Sequence, residues 1–468
     1  MLSFKFNHII FFLLCILFIT FFLNNLAFLI LAILILLLIT FYKKNFILVA
    51  TILSFLVLTR NEFEGLRDVI TFGSTLLLFI IFFQKYGLKL QEYPRLPREI
   101  YYFLVLVFFT LFISTVLSSD VSVSLKASLR LTIFLLICYI LFSFIENKKI
   151  VLLYISVLLF AEMIIGLSIL YDFMRGGFSF FLKNGILARF TGVYDNPNFV
   201  GLTTLVTTCL IIALFFLEQF NSTKKRILLV ALLINNFGIL LITDSRAAII
   251  TVLISSFIML YLLNKRMLLK VSLSIVIVFS ILLFIPIIQD FILILLRPRE
   301  FSAREYLWNS GIEMFKDHYI SGVGPEQFPK FFYTYLSHSA LILFEETGAL
   351  SFGKIPSPHN YFLLMGAENG ILGLITSISI FIVFFYLAYR TLKLAKKVDR
   401  DYYVLGVAIM AIGVGTFLRA FFEISGIMYY GYISRDLPFW IVFIILIFIF
   451  YRVKTMVGSK SFHTSIEL

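Results

Sequence analysis

The sequence predicts an all-α polytopic membrane protein of about 12–14 transmembrane helices, with a large extracytoplasmic loop that contains short helices. Three observations predict it: 61% of the 468 residues are hydrophobic, the mean hydropathy is +1.03, and apolar runs follow one another almost end to end. No water-soluble core can absorb that much apolar surface, and only helices or closed barrels satisfy the backbone inside a bilayer. The runs are helix-length and uninterrupted rather than alternating, so helices are the spanning elements.

Apolar windows fall near residues 8–23, 26–42, 46–59, 69–83, 100–117, 128–145, 150–171, 199–217, 227–243, 247–263, 268–289, 360–389, 403–420 and 437–451. The first is long enough to span and has no small-residue cleavage site after it, so it reads as a retained helix, not a signal peptide. The third and fourth are short and separated by TRNEFEGLRD. Cys15, Cys138 and Cys209 all lie inside spans without metal-type spacing, so the cysteines carry no redox information.

The net charge is +13, yet the basic residues sit between spans and form no single basic domain, which argues against a nucleic-acid partner. With a cytoplasmic N-terminus, more than half of the 39 Lys and Arg residues fall on the inner side, mostly in short loops. The positive-inside rule then places both termini in the cytoplasm. Two long connections lie on the outer face in this orientation, about 172–198 and about 290–358. Loops of that length in a compact protein are functional or disordered, and these are too aromatic for disorder. No internal repeat of the transporter kind is visible.

Three helix starts on the outer face have unusual chemistry. At DNPNFVG, Asn196 caps and Pro197 suits the first helical position. At TDSRAAI, Ser245 or Asp244 caps, leaving Arg246 in the first turn. At PSPHN, Ser357 caps and Pro358 opens the helix, with His359 next and Asn360 after it. All three N-termini face one compartment and offer free amides and partial positive charge to an anion, phosphates above all. An arginine there opposes the helix dipole by about 0.3–1 kcal/mol, a cost that makes sense if it points at an anion.

The 290–358 loop carries FSAREYLWNSGIEMFKDH, in which Ser302-x-x-Glu305 is a capping box and Trp308, Ile312 and Phe315 recur at helical spacing. Arg304 thus opens an amphipathic helix suited to the membrane surface. GVGPEQF, residues 322–328, has Gly322 and Gly324 for a tight turn but lacks the length and Lys of a P-loop.

Each feature also has a plainer reading. Arg189 in ARFTG and Arg304 can be interfacial arginines snorkelling to headgroups. Arg246 has little loop to escape into. Asn196, Asn198 and Asn360 can be caps and no more, and His359 can satisfy a buried hydrogen bond. His338, Glu345 and Glu346 match no compact ligand set, so no metal is expected. Arg419 and Glu423, four apart at the end of a span, read first as a local ion pair and second as part of a site.

Taken in order, RFTGVYDNPNFVG, DSRAAI, REYLW, GVGPEQF and PHNYFLLMGAENGILG resemble the O-antigen ligase and O-antigen polymerase family over roughly residues 185–385. The resemblance implies a GT-C type membrane glycosyltransferase acting on the outer side of the cytoplasmic membrane. It implies a glycan donor on undecaprenyl diphosphate, an acceptor hydroxyl on a glycan or lipid-linked glycan, and no metal or other cofactor. It assigns Arg189, Arg246 and Arg304 to the donor diphosphate and His359 to the base, with Asn196, Asn198, Ser245, Gly322, Gly324 and Asn360 as substrate-binding or supporting positions. It divides the chain into N-terminal transmembrane helices (1–171), a catalytic region (172–396, including the loop 290–358), and C-terminal helices with a cytoplasmic tail (397–468). Ligase and polymerase stay open as alternatives. A lipid-linked glycan flippase or other transporter is the rival from another class; it should distribute polar residues through the bilayer depth, whereas here they gather at one face.

Overall fold

A computed structural model of the chain describes residues 44–57, 64–176, 182–183, 186–187, 190–194, 196–243, 245–284, 304–336, 357–430 and 432–464. The windows at 8–23 and 26–42 lie outside the described residues, as do Cys15, Arg189, Asp244, Ser302, His338, Glu345 and Glu346.

The early helices are α1 (Lys44–Val57), α2 (Glu64–Tyr86), α3 (Arg98–Val116), α4 (Val121–Ser143) and α5 (Lys148–Gly176). A two-stranded antiparallel hairpin, β1 (Leu182–Lys183) and β2 (Ile186–Leu187), interrupts the 172–198 connection, a small departure from an all-helical reading. There follow α6 (Pro197–Phe216), α7 (Thr223–Thr243), α8 (Arg246–Leu263), α9 (Lys265–Leu282), α10 (Arg304–Asp317), α11 (Phe328–Phe332), α12 (Tyr361–Val398), α13 (Arg400–Ala420) and α14 (Ile433–Thr464). Among the described residues nine helices, α3 to α8 and α12 to α14, are long and apolar enough to cross a membrane. The chain is a multi-pass, helical membrane protein.

Helices α6, α13 and α14 are the most buried and form the centre, with α8 and α12 packed against α13. Lipid supplies no hydrophobic drive for helix association, so close contact has to come from small residues and hydrogen bonds. A Cβ on Gly201 of α6 would stand 2.5 Å from Ala248 Cβ of α8, and one on Gly415 of α13 would stand 2.4 Å from Ser255 Oγ of α8. Thr110 and Thr376 join α3 to α12 at 2.9 Å, and Ser255 Oγ donates to the Ala411 carbonyl at 2.9 Å. Glu162, buried inside α5, accepts from Thr204 Oγ1 at 2.6 Å, so the spans are less free of ionisable groups than hydropathy alone suggests.

Helix α12 is not the single straight element that its apolar run predicts. Gly370 has φ 62° and ψ −154° and breaks the ladder two and a half turns in. The freed backbone groups are taken up by the GVGPEQF segment and the turn before it: Val323 N–H donates to Ala367 O (3.0 Å), Gly324 N–H to Glu368 O (2.9 Å), and Ile371 N–H to Tyr319 O (2.8 Å). A kink at depth survives where such partners replace the lost helical bonds. The tight turn expected at Gly322 and Gly324 is present, with φ of 68° and 107°. A Cβ on Gly322 would lie 2.2 Å from the Glu368 carbonyl carbon, so the contact requires glycine.

Candidate functional site at one end of the bundle

The N-termini of α6, α8 and α12 gather at one end of the bundle. Asn196 caps α6 by accepting the Asn198 N–H at 2.9 Å, and Pro197 occupies the first helical position, as the residue order predicts. Ser245 precedes α8 without a side-chain capping bond; its hydroxyl instead donates to Asn198 Oδ1 at 3.2 Å, tying α8 to α6. Arg246 is the first residue of α8 and is exposed at this end.

At the third helix start the structure corrects the sequence reading. The cap of α12 is Asn360, whose side chain accepts the Leu363 N–H at 3.0 Å; Ser357 and Pro358 lie ahead of the helix. His359 therefore stands just before the helix, not in its first turn, and adopts φ 45°, an uncommon value for a non-glycine residue. Trp308 of α10 fixes the approach strand, its Nε1–H donating to Pro358 O at 2.8 Å. Two restraints, the Asn360 cap on one side and the Trp308–Pro358 bond on the other, thus hold His359 in a conformation that costs energy, a pattern that concentrates at functional sites.

Helix α10 opens on Arg304 as expected. It packs on α12 through Leu307, Ser310, Gly311 and Met314, closing a small second core with Val323, Phe328, Phe332 and Leu364. Trp308, Ile312 and Phe315 instead line an apolar cavity of about 550 Å³, with Phe362 and Leu374 of α12 and Phe421 just past the end of α13. Asn360 is at its polar edge.

Arg304 and His359 meet at one carboxylate. Arg304 Nη2 lies 3.4 Å from Glu423 Oε1, and His359 Nδ1 lies 3.5 Å from Glu423 Oε2. Glu423 is 1% exposed, whereas Arg304 and His359 remain about a third open. Burial alone would raise the Glu423 carboxyl, but the His359 hydrogen bond and the charges of Arg419, His359 and Arg304 outweigh it and hold the group below its ordinary value.

Arg419, the penultimate residue of α13, is 2% exposed and links the two halves of the site. Its Nη1 donates to Ser425 O and its Nη2 to Asn198 O, both at 2.6 Å. The local ion pair expected of Arg419 and Glu423 is not a contact pair: the two side chains act on each other only through charge, one gripping the α6 start and the other facing α10 and the His359 strand. Residue reasoning also passed over Arg435 of α14, which stacks on Phe199 of α6 at 3.9 Å. The available signal was the presence of charged residues beside long apolar runs, where each one needs a partner or a task.

Gly322 and Gly324 belong to the α12 kink, away from the exposed end, and act on the backbone around Glu368. Glu368 Oε1 in turn accepts the Phe328 N–H at 2.9 Å, holding α11 to the same kink.

Comparison with known families bears on the stretch that carries most of these groups. Residues 228–378 match the O-antigen ligase family model. The matched O-antigen ligase region covers roughly a third of the chain, from within α7 to about the middle of α12, and includes Arg246, Arg304, Gly322, Gly324, His359 and Asn360. Asn196, Asn198, Arg419 and Glu423 lie outside the ligase-matched stretch and reach it through the contacts above. No match was found among the curated proteins.

Proposed function

We propose that this protein is a membrane glycosyltransferase of the O-antigen ligase kind. It moves a glycan from an undecaprenyl-diphosphate-linked donor to an acceptor hydroxyl on the extracytoplasmic side of the cytoplasmic membrane, in cell-surface polysaccharide synthesis. The observation that carries the reading is the meeting of a partly open arginine and a strained histidine at one buried carboxylate, beside an apolar cavity of about 550 Å³. A cation, a base and an apolar groove side by side suit a lipid carrying a diphosphate and a sugar.

The chemistry follows from charge. The acceptor oxygen attacks the anomeric carbon, its proton passes to the His359 imidazole, and the bond from the anomeric carbon to the diphosphate oxygen breaks. Negative charge grows on the leaving diphosphate, so Arg304, Arg246 and Arg189, with the N-termini of α6 and α8, stabilise the transition state more than the bound donor. Asn196, Asn198 and Ser245 set those helix ends and Asn360 the start of α12, with Gly322 and Gly324 bracing α12 behind them. Proton removal by a positioned imidazole contributes about 10²- to 10⁴-fold. Direct displacement inverts the anomeric configuration, so an α-linked donor gives a β product; an NMR spectrum of the new linkage reads this directly. Residues 172–396 are the catalytic region in this reading, flanked by helical segments 1–171 and 397–468, with both termini cytoplasmic.

Reconstitution of the full chain with a defined undecaprenyl-diphosphate oligosaccharide tests the function. Transfer to an added acceptor alone supports the ligase. A ladder of longer lipid-linked products makes the protein a polymerase, and movement of the donor across the bilayer without a new bond makes it a transporter.

A further inference from the structure

The inference rests on the glycan-transfer reading above. We propose that Glu423 is the positioning residue for His359: its Oε2 accepts the Nδ1 proton and fixes the ring, so that Nε2 is the nitrogen presented to the acceptor hydroxyl.

A carboxylate at 1% exposure is costly to bury unless its oxygens are engaged by donors or positive charge. Here the two oxygens divide their partners, Oε1 facing Arg304 Nη2 at 3.4 Å and Oε2 facing His359 Nδ1 at 3.5 Å. The third charge acting on Glu423 is Arg419, itself anchored on two backbone carbonyls and so unable to follow the ring. The backbone of His359 is settled independently by the Asn360 cap and the Trp308–Pro358 bond, at φ 45°. What those restraints leave undetermined is the imidazole's rotation and tautomer, and among the described residues the polar contact on the ring is Glu423. Neutral imidazole has one donor and one acceptor nitrogen, so a carboxylate on Nδ1 selects the Nδ1–H form and leaves the Nε2 lone pair free. When Arg304 turns toward the donor diphosphate, Glu423 loses that partner and its bond to His359 tightens.

The test uses the full chain in lipid nanodiscs with the defined oligosaccharide donor, comparing wild type, Glu423→Gln and Glu423→Asp. Glu423→Gln is expected to lower kcat by about 10²- to 10⁴-fold with donor KM little changed. Glu423→Asp keeps the charge but shortens the reach; it recovers part of the rate. Independently of turnover, ¹⁵N NMR of ring-labelled histidine, with His359→Gln identifying the signal, should show Nδ1–H in wild type and a shift toward Nε2–H in Glu423→Gln. An unchanged kcat overturns the assignment. So does a loss confined to donor KM with the ring signal unmoved, which leaves Glu423 a mere partner of Arg304. If the Gln variant does not fold, the Asp variant decides: lower kcat with a weakened Nδ1–H signal supports the assignment, and wild-type values of both overturn it. A wild-type chain inert toward the donor overturns the glycan-transfer reading instead, and the ring-tautomer comparison then decides the Glu423 assignment alone.

Discussion

Arg419→Met isolates what joins the two halves of the site. The side chain is 2% exposed and spans from α13 to the α6 start, with donated bonds of 2.6 Å to Ser425 O and Asn198 O. Each charged hydrogen bond contributes about 1.5–3 kcal/mol, and each carbonyl left without its donor adds a penalty within about 1–3 kcal/mol. Against that, methionine removes the cost of burying a guanidinium, and Glu423 keeps Arg304 and His359 as partners. The two lost bonds less that relief net about 3 kcal/mol. Arg419→Lys keeps the charge but cannot reach two carbonyls with a planar fork, so its cost is that of one bond, about 1.5–3 kcal/mol. Unfolding of the purified protein in mixed micelles, titrated with SDS, measures both variants against wild type. The order wild type, Lys, Met is the expected result. A Met variant as stable as wild type, or a Lys variant as unstable as Met, refutes the argument that the two carbonyl bonds join the helix ends.

His359→Ala is expected to abolish transfer while leaving donor binding intact, as read by binding of labelled donor; full activity in that variant removes His359 as the base. Arg304→Ala and Arg246→Ala weaken donor binding and rate together, and Arg304→Lys is also impaired because an ammonium does not reproduce bidentate contact with phosphate. Gly322→Ala places a Cβ 2.2 Å from the Glu368 backbone at φ 68°, so it destabilises by about 2–4 kcal/mol, from overpacking and left-handed strain together. Thermal unfolding reports it. For pH, Glu423 sits below its ordinary value in the folded chain, so the unfolded chain binds more protons in the acid range. Its stabilisation is complete above about pH 4.3 and is lost as pH falls through the lower folded value. Acid unfolding of Glu423→Gln should accordingly lack that component of the pH dependence.

Much of the architecture was legible in the residues because its causes are local. Apolar length specifies a span wherever the chain runs, and Asn196-Pro197 caps and opens a helix in any context. Arg246 at the start of α8 and Arg304 at the start of α10 follow from the same short-range rules. At PSPHN those rules offered two caps, Ser357 and Asn360; tertiary contact chose Asn360, because Trp308 on α10 takes the Pro358 carbonyl. The break at Gly370 was likewise hidden, since a glycine in an apolar run kinks only when another segment satisfies the freed backbone groups.

By itself, then, the sequence determined the class of the protein, the positions of its long helices, and which helix starts carry arginine, histidine and asparagine. Only the tertiary structure decided that Arg304 and His359, 119 and 64 residues distant from Glu423, meet on its carboxylate, and that Arg419 binds the α6 start from 221 residues away. Hydropathy and capping depend on neighbours within a turn or two. Partnership between a buried charge and its counter-charge depends on which helices pack together, and pairs four apart in sequence, such as Arg419 and Glu423, need not be each other's main partners.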